Sequence, residues 1–460
     1  MNYEELIKEQ RAFFNNRTTG DISFRKQSLT ALQKAIRKYE KELSEALRKD
    51  LGKAPFESYM TEIGFILSEI RHTLKHLDKW AAAKRCKTPL FLFGSTSHTR
   101  PEPYGIVLIL SPWNYPVQLL LAPLVGAIAA GNCAILKPSP RTVHTNHILG
   151  KLISETFPPQ YIAFLETDNR QTDNLLKQHF DYIFYTGGVA FGKRIMMAAA
   201  KNLTPVTLEL GGKSPCIVDN DAHIQIAARR IVWGKYLNCG QTCVAPDYIF
   251  VHREVKDKLI TALQAEIERQ YGKSPQESPD YPRIISQDHF YNLLLLLKQG
   301  HIVAGGKYDD KDLYIAPTVI SGILPENRIM SEEIFGPILP LLDFDDIDNV
   351  IDYVNNQEKP LALYYFGQNK KKARYVLQNT SSGGACINDV VTHVANTHLP
   401  FGGVGSSGTG AYHGKYSFDT FSHTRSIVQS TTRFNIGMKF APTTNKQSNN
   451  ILHEIKTTNT

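Results

Sequence analysis

The sequence predicts an α/β fold, a mainly parallel sheet with helices on both faces followed by a second α/β unit. Three observations point there. Strand-like apolar runs alternate with helical runs from about residue 105 to about residue 200, the order that parallel sheets require. The chain has 460 residues, more than one small core accommodates at ~100–200 residues per domain. Hydrophobic residues make up 42% and charged residues 21%, values that place it among ordinary soluble proteins and outside the disordered and membrane classes.

Residues 3–79 read as long amphipathic helices, because Leu29, Leu32, Ile36, Leu43 and Leu47 recur at three- and four-residue spacing between Lys and Glu. Residues 91–103 lose that period. Their Ser, Thr, His and Arg alternation predicts an extended hairpin projecting from the body, the first candidate for an oligomer contact. Strands follow at 106–110, 134–137, 161–165 and 182–185. They alternate with helices after Pro116, over 145–156, through Leu175 and from Phe191. The most apolar stretch, 117–134, is broken by Pro123, Gly126, Gly131 and Asn132, and so reads as a buried helix and turn rather than a membrane span. A separate second half is expected to begin near Leu208, with helices over 222–236 and 255–271 and strands over 361–366 and 385–388. Residues 426–430 alternate again and are expected to pair with the projecting hairpin. Residues 441–460 are polar and predict a flexible tail.

The formal net charge is +8, but the basic run over 25–49 is interleaved with glutamates and reads as a solvated helix face. No zinc finger or polybasic arm appears, so no nucleic-acid partner is expected. A modest pull on anionic ligands remains. Six cysteines are scattered along the chain and residues 1–10 are polar, which predicts a cytoplasmic protein without a disulfide framework.

Chemistry concentrates in three short segments. In Asn-Cys-Gly-Gln-Thr-Cys-Val-Ala-Pro, Cys243 follows a polar turn after a helical run. It is either a nucleophile at a loop tip or a small buried hydrophobe. Three residues rather than the usual two separate it from Cys239 and no second Cys/His cluster is near, so no metal is expected. Glu209 lies between Leu208 and Leu210, just before Gly211 and Gly212. Desolvation there would raise its pKa and suit it to act as a general base; a salt bridge at a strand end is the plainer alternative. Asn114, in Ser-Pro-Trp-Asn-Tyr-Pro, sits where a strand ends and ligands gather. It is a turn former or an oxyanion donor, the latter worth about 3 kcal/mol. Trp113, Tyr115, Phe335 and Phe401 either line an apolar tunnel or pack in the core. His393, His398 and His413 read as core or surface residues.

Taken together, Pro-Trp-Asn-Tyr-Pro, Leu-Glu-Leu-Gly-Gly-Lys-Ser-Pro, Gly-Gln-Thr-Cys, Glu-Glu-Ile-Phe-Gly-Pro and Pro-Phe-Gly-Gly-Val-Gly-Ser-Ser-Gly resemble the aldehyde dehydrogenase superfamily, in that family's order, over about residues 5–430. Residues 236–248 are most similar to its class 3 branch, which acts on fatty or aromatic aldehydes. The resemblance implies oxidation of medium- or long-chain aliphatic or aromatic aldehydes to carboxylic acids, through a thiohemiacetal and then a thioester on Cys243. It implies Asn114 and the backbone N–H of Cys243 as the oxyanion hole and Glu209 as the base for thioester hydrolysis. Glu333 is implied as a nicotinamide-ribose contact and a rival base.

The resemblance also implies NAD or NADP, held by Lys137, Thr186, Gly187, Gly188, Val189, Gly192, Leu210, Glu333 and Phe335. The one complete Gly-x-Gly-x-x-Gly, residues 403–408, lacks the preceding strand and surrounding βαβ unit that a phosphate site needs. Residues 185–193 follow a strand and open a helix, and are the better phosphate site. Pro140 stands where many relatives carry a ribose-binding glutamate, with Lys137 and Arg141 nearby, so NADP is expected to be accepted comparably to NAD. The implied architecture is a Rossmann-like dinucleotide domain (1–83 and 101–208), a mainly catalytic domain (209–422) and a bridging ribbon (84–100 and 423–434). A homodimer without a membrane anchor is expected.

Overall fold

The computed structural model describes residues 3–435 and residue 440; the flexible tail expected over 441–460 lies outside the described residues. The N-terminal run folds as helices α1 (Tyr3–Asn15), α2 (Ile22–Lys38), α3 (Glu40–Leu51), α4 (Pro55–Ser58) and α5 (Gly64–Ala81). Leu29, Leu32, Ile36, Leu43 and Leu47 are all fully buried, as their spacing demands. Gly52 ends α3 in the left-handed region (φ 72°). The helical period hides one irregularity, a π-turn over Tyr59–Ile63 that joins α4 to α5.

The first sheet contains β3 (Ile106–Leu110), β4 (Cys133–Lys137), β5 (Ile162–Phe164), β6 (Tyr182–Gly187), β7 (Val206–Leu210) and β17 (Gly408–Thr409), in the order β17-β7-β6-β3-β4-β5. All pairings are parallel except β17 with β7. Between the strands run α6 (Gln118–Ala130), α7 (Val143–Thr156), α8 (Asn169–Leu175) and α9 (Val189–Ala200). Every residue of α6 is buried, so the most apolar stretch is a core helix.

The second sheet contains β8 (Pro215–Val218), β9 (Tyr248–His252), β10 (His301–Ala304), β13 (Thr318–Ser321), β14 (Ile338–Phe344), β15 (Ala362–Phe366) and β16 (Gly384–Ile387), in the order β10-β13-β14-β9-β8-β15-β16. Its helix α10 (Ile224–Tyr236) leads into the Cys243 loop. A small pair, β11 (Tyr308–Asp309) and β12 (Tyr314–Ile315), stands apart. The ribbon is β1 (Lys84–Cys86), β2 (Ser95–Pro103) and β18 (Ser422–Ser430). β2 and β18 pair along their full length, from Pro103 with Ser422 to Ser95 with Ser430.

One sequence boundary moves. The second half does not begin at Leu208: β7 pairs with β6 from Val206 to Leu210, and β17 returns to pair with β7. The helix Lys415–Thr420 also packs on α6. The first sheet therefore claims residues 206–210 and part of 401–421, and the chain passes to the second sheet between Gly211 and Ser214. A strand's own pattern carries no record of which sheet it joins. The ribbon likewise extends to Pro103 rather than stopping at residue 100.

Candidate active site

Cys243 lies in the loop after α10, half-buried. The loop is unusually shaped, since Asn238 (φ 50°), Cys239 (φ 56°) and Gly240 (φ 73°) are all left-handed. It is held by an array of hydrogen bonds. The Asn238 amide donates to Glu57 Oε1 at 2.9 Å, and Asn238 Nδ2 donates to the carbonyls of Asn114 (2.8 Å) and Gln241 (3.1 Å). Gln241 Nε2 donates to the Arg283 carbonyl at 3.0 Å, and Thr242 Oγ1 lies 2.6 Å from Tyr115 Oη. Burial first, then Glu333 and Glu209, push the Cys243 thiol up to about 12, so the thiol holds its proton near neutral pH and must lose it before sulfur attacks.

Three other side chains face the same space. Asn114 is 2% exposed; its Nδ2 donates to the Gln241 carbonyl at 3.1 Å, which leaves the second amide proton for a ligand, and its Oδ1 has no partner. Glu209, on β7, is 2% exposed with neither carboxyl oxygen bonded, and burial holds its pKa well above the ordinary range. Glu333 is pushed up to about 8, chiefly by burial and then by Asp247, against the pull of the Gly212 amide, Lys213 and Lys235. Its loop is tied down by the Ile334 amide to Asp247 Oδ1 (2.9 Å) and by Lys213, which pairs with Asp247 and donates to the Ile329 and Glu332 carbonyls.

Two cavities meet at the thiol. One, about 190 Å³, is a tunnel with an almost wholly apolar wall that includes Phe65, Leu119, Trp233, Val394 and Phe401. The other, about 230 Å³, is a groove lined by Asn114, Thr186, Gly187, Gly188, Glu209, Leu210, Glu333 and Phe335. It continues over the strand ends into a pocket with Ser111, Lys137 and Pro140. Burial lowers the Lys137 pKa, with Asp168 opposing.

The groove fits a dinucleotide. Thr186 Oγ1 and Ser111 Oγ are buried without partners. Gly188, the N-cap of α9, brings no side-chain cap, and a Cβ there would meet open space. The first amides of α9 are thus free to bind phosphate. Among the expected cofactor residues, Val189 and Gly192 do not line the cavity. Val189 packs on the core, and a Cβ on Gly192 would come within 2.7 Å of Leu210, so this glycine lets α9 lie close on β7.

The four aromatics read as tunnel lining or core packing divide between the two cavities. Tyr115 and Phe401 line it, whereas Trp113 and Phe335 face the groove and pack edge to face, their ring centres 5.4 Å apart. Trp113 and Tyr115 flank Asn114 on one turn and point to opposite sides. The residues 403–408 serve packing: Gly408 (φ 147°) pairs with Glu209, and a Cβ there would strike the Leu208 carbonyl. His413 stacks on Phe401, His398 meets His72, and His393 Nδ1 lies 3.3 Å from Cys386 Sγ. Among the described residues no group of three His, Cys, Asp or Glu is placed to hold a metal ion. Sequence reasoning missed Lys53, Glu57, Glu62 and His289, whose Nε2 lies 2.7 Å from the Phe335 carbonyl. The signal lay in ionisable residues 53–62 next to a Gly and a Pro that interrupt the helical run.

A thiol at the junction of an apolar tunnel and a groove that fits a dinucleotide is an arrangement suited to a dinucleotide-dependent enzyme. Residues 1–427 match the model of the Aldehyde dehydrogenase family, and the chain belongs to that family, whose members are NAD(P)-dependent oxidoreductases. It is 48% identical over 441 residues to the 4,4'-diaponeurosporen-aldehyde dehydrogenase of Staphylococcus aureus, covering 95% of this chain and 96% of that one. It is 46% identical over 421 residues to aldehyde dehydrogenase family 3 member A2 of Mus musculus, covering 92% and 87%. Among solved structures, the substrate-bound state of Staphylococcus aureus AldH superposes with a TM-score of 0.96 at 47% identity, over 98% of this chain and 100% of that one. Betaine aldehyde dehydrogenase of Staphylococcus aureus in complex with NAD+ gives 0.85 at 27% identity, over 96% and 89%.

Proposed function

We propose that this aldehyde dehydrogenase oxidises medium- or long-chain aliphatic or aromatic aldehydes, with Cys243 as nucleophile. The observation that carries the proposal is the position of Cys243, where the apolar tunnel meets a groove that also holds Asn114, Glu209 and Glu333. Cys243 releases its proton to solvent, sulfur attacks the aldehyde carbon, and the oxygen becomes an oxyanion held by Asn114 Nδ2 and the Cys243 amide until hydride leaves the same carbon. The dinucleotide, when bound, supplies the hydride acceptor. The resulting Cys243 thioester is hydrolysed by a water whose proton Glu209 takes. Two features favour Glu209 over Glu333: its oxygens have no partner, whereas Glu333 is tied to the Gly212 amide. Lys137, Thr186, Ser111 and the N-terminus of α9 hold the dinucleotide.

The tunnel's apolar wall supports the substrate class, and the names of the relatives include a diaponeurosporen-aldehyde. Pro140 places no carboxylate in the cofactor pocket wall, so NADP is used comparably to NAD. The working form is a cytoplasmic homodimer joined through the ribbon, whose loop exposes Leu90, Phe91 and Phe93. No helix among the described residues is long and apolar enough to cross a membrane.

The test is reduction of NAD and NADP by purified protein with aldehydes from acetaldehyde to decanal and benzaldehyde, beside Cys243→Ala. Activity that rises with chain length and falls about 10⁴-fold in the variant is expected. Full activity in Cys243→Ala, or an NAD preference above about tenfold (about 1.4 kcal/mol), would overturn the nucleophile or the cofactor reading respectively.

A further inference from the structure

The segment between α3 and α5 carries buried ionisable side chains that no step above uses. Lys53 and Glu62 are fully buried and pair at 2.5 Å. Lys53 Nζ also donates to the backbone carbonyl of Asn114 at 2.8 Å and lies 3.9 Å from the centre of the Tyr115 ring. The other oxygen of Glu62 accepts from the amides of Val117 (2.8 Å) and Gln118 (3.3 Å), where α6 opens without a side-chain cap of its own. The pair thus grips the Asn114 turn on both sides, its carbonyl by the ammonium and the amides beyond it by the carboxylate. Asn238 donates to the same carbonyl, and Glu57 receives the amide of Asn238. The Asn114 turn and the Cys243 loop are therefore both anchored to residues 53–62, part of which is the π-turn, a geometry frequent at functional sites.

Stability alone does not account for this arrangement. A buried ion pair is often no more stabilising than apolar residues of the same volume, yet here each remaining hydrogen bond goes to backbone beside Asn114. We propose that Lys53 and Glu62 are positioning residues for the oxyanion site. They hold the Asn114 turn so that Nδ2 stays at the point where charge develops on the aldehyde oxygen. The proposal rests on the reading of Asn114 as an oxyanion donor.

Lys53→Met/Glu62→Gln removes both charges together and strands neither. Glu62→Gln alone is the second variant, and it keeps an oxygen for the Val117 amide. Circular dichroism and melting establish that each is folded, and kcat and KM are measured with and without Asn114→Ala. Misplacement by ~1 Å costs about 10²-fold, so kcat is expected to fall about 10- to 100-fold while the aldehyde and dinucleotide KM values stay within about threefold. In the Asn114→Ala background that loss should shrink below about threefold, because the group being positioned is gone. Equal losses in both backgrounds, or unchanged kcat in a folded variant, overturn the proposal. Full activity in Asn114→Ala alone removes the oxyanion reading and the proposal with it.

Discussion

The two sides of Cys243 are built on opposite principles. The tunnel side is nearly all carbon, lined by rings and aliphatic side chains from α5, α6, α10 and residues 391–401. The groove side is made of strand ends and a helix start, with buried hydroxyls of Ser111 and Thr186 left unbonded and no side-chain cap on α9. Leaving buried polar groups unpaired is costly, ~1–3 kcal/mol each, and the groove tolerates that cost where a polar ligand repays it. A dry wall on one side and waiting donors on the other teach that substrate is chosen by area and cofactor by hydrogen bonds. Leu119, Thr186, Glu209, Leu210 and Cys243 line both spaces, so this seam couples the two sides.

The largest effect is expected at the seam. Glu209→Gln should lower steady-state turnover about 10²- to 10³-fold while a rapid burst of reduced nucleotide of about one equivalent per site survives. Acylation does not need this base, whereas the thioester then waits for water. The pH profile sharpens the test. A carboxyl whose pKa is raised acts as a base only once ionised, so kcat should climb with pH toward a plateau above that pKa. If Glu333 were the base instead, the climb would centre near the about 8 to which burial and Asp247 push it, and Glu333→Gln rather than Glu209→Gln would abolish turnover and keep the burst. Stopped-flow traces for both variants separate the two outcomes.

A charge placed on the dry side alone should separate the two cavities. Val394 faces the tunnel and not the groove. Val394→Asp should lower kcat/KM for decanal about 10²-fold, since a carboxylate in an apolar wall must be desolvated against the substrate chain. Acetaldehyde, which has no chain to lie along the apolar wall, should change less than about threefold, and the KM for NAD should hold. Equal losses for both aldehydes would mean that the tunnel does not bind the chain and that the contrast between the two sides has no functional content.

How much of this was legible in the sequence follows from the same contrast. Groove residues announce themselves, because strand ends are marked by Gly and Pro beside Asn114, Lys137, Gly188 and Glu209. The tunnel wall is drawn from distant helices and one late loop, and nothing in Phe65, Trp233 or Val394 distinguishes them from core residues until the chain is folded. Trp113 and Tyr115 looked alike, and only the turn they share sends them to different sides. Sheet membership was likewise hidden. β7 is mostly buried, and its pairing with β6 and β17 is long-range information that its own pattern does not hold. Lys53, Glu57 and Glu62 fall inside the run 3–79 that reads as amphipathic helices, where a charge is normally solvated, and nothing in the pattern singles them out. Glu62 is buried in a π-turn that residue spacing does not reveal, where it pairs with the buried Lys53.

The smallest expected effect asks whether dryness by itself raises a carboxyl near the tunnel, without any catalytic purpose. Glu69, on α5, is 1% exposed; one oxygen accepts from the Gly414 amide at 2.5 Å and the other has no partner. Burial pushes it from 4.5 to about 7, with the Gly414 amide pulling the other way. The folded protein therefore binds more protons than the unfolded chain between those values, and stability must fall as pH rises through that window. Below it both states are protonated and nothing is lost; above it the full penalty, ~3 kcal/mol by the size of the shift, is in force. Glu69→Gln keeps an oxygen for Gly414 and cannot ionise. Its melting temperature should match the parent near pH 4.5 and exceed it by a few degrees at pH 8, with kcat little changed. A variant less stable than the parent at pH 8 would show that the Glu69 carboxylate has a compensating partner when ionised. The raised carboxyl at Glu209, which also lines the tunnel, would then owe less to its dry surroundings than the contrast between the two cavities requires.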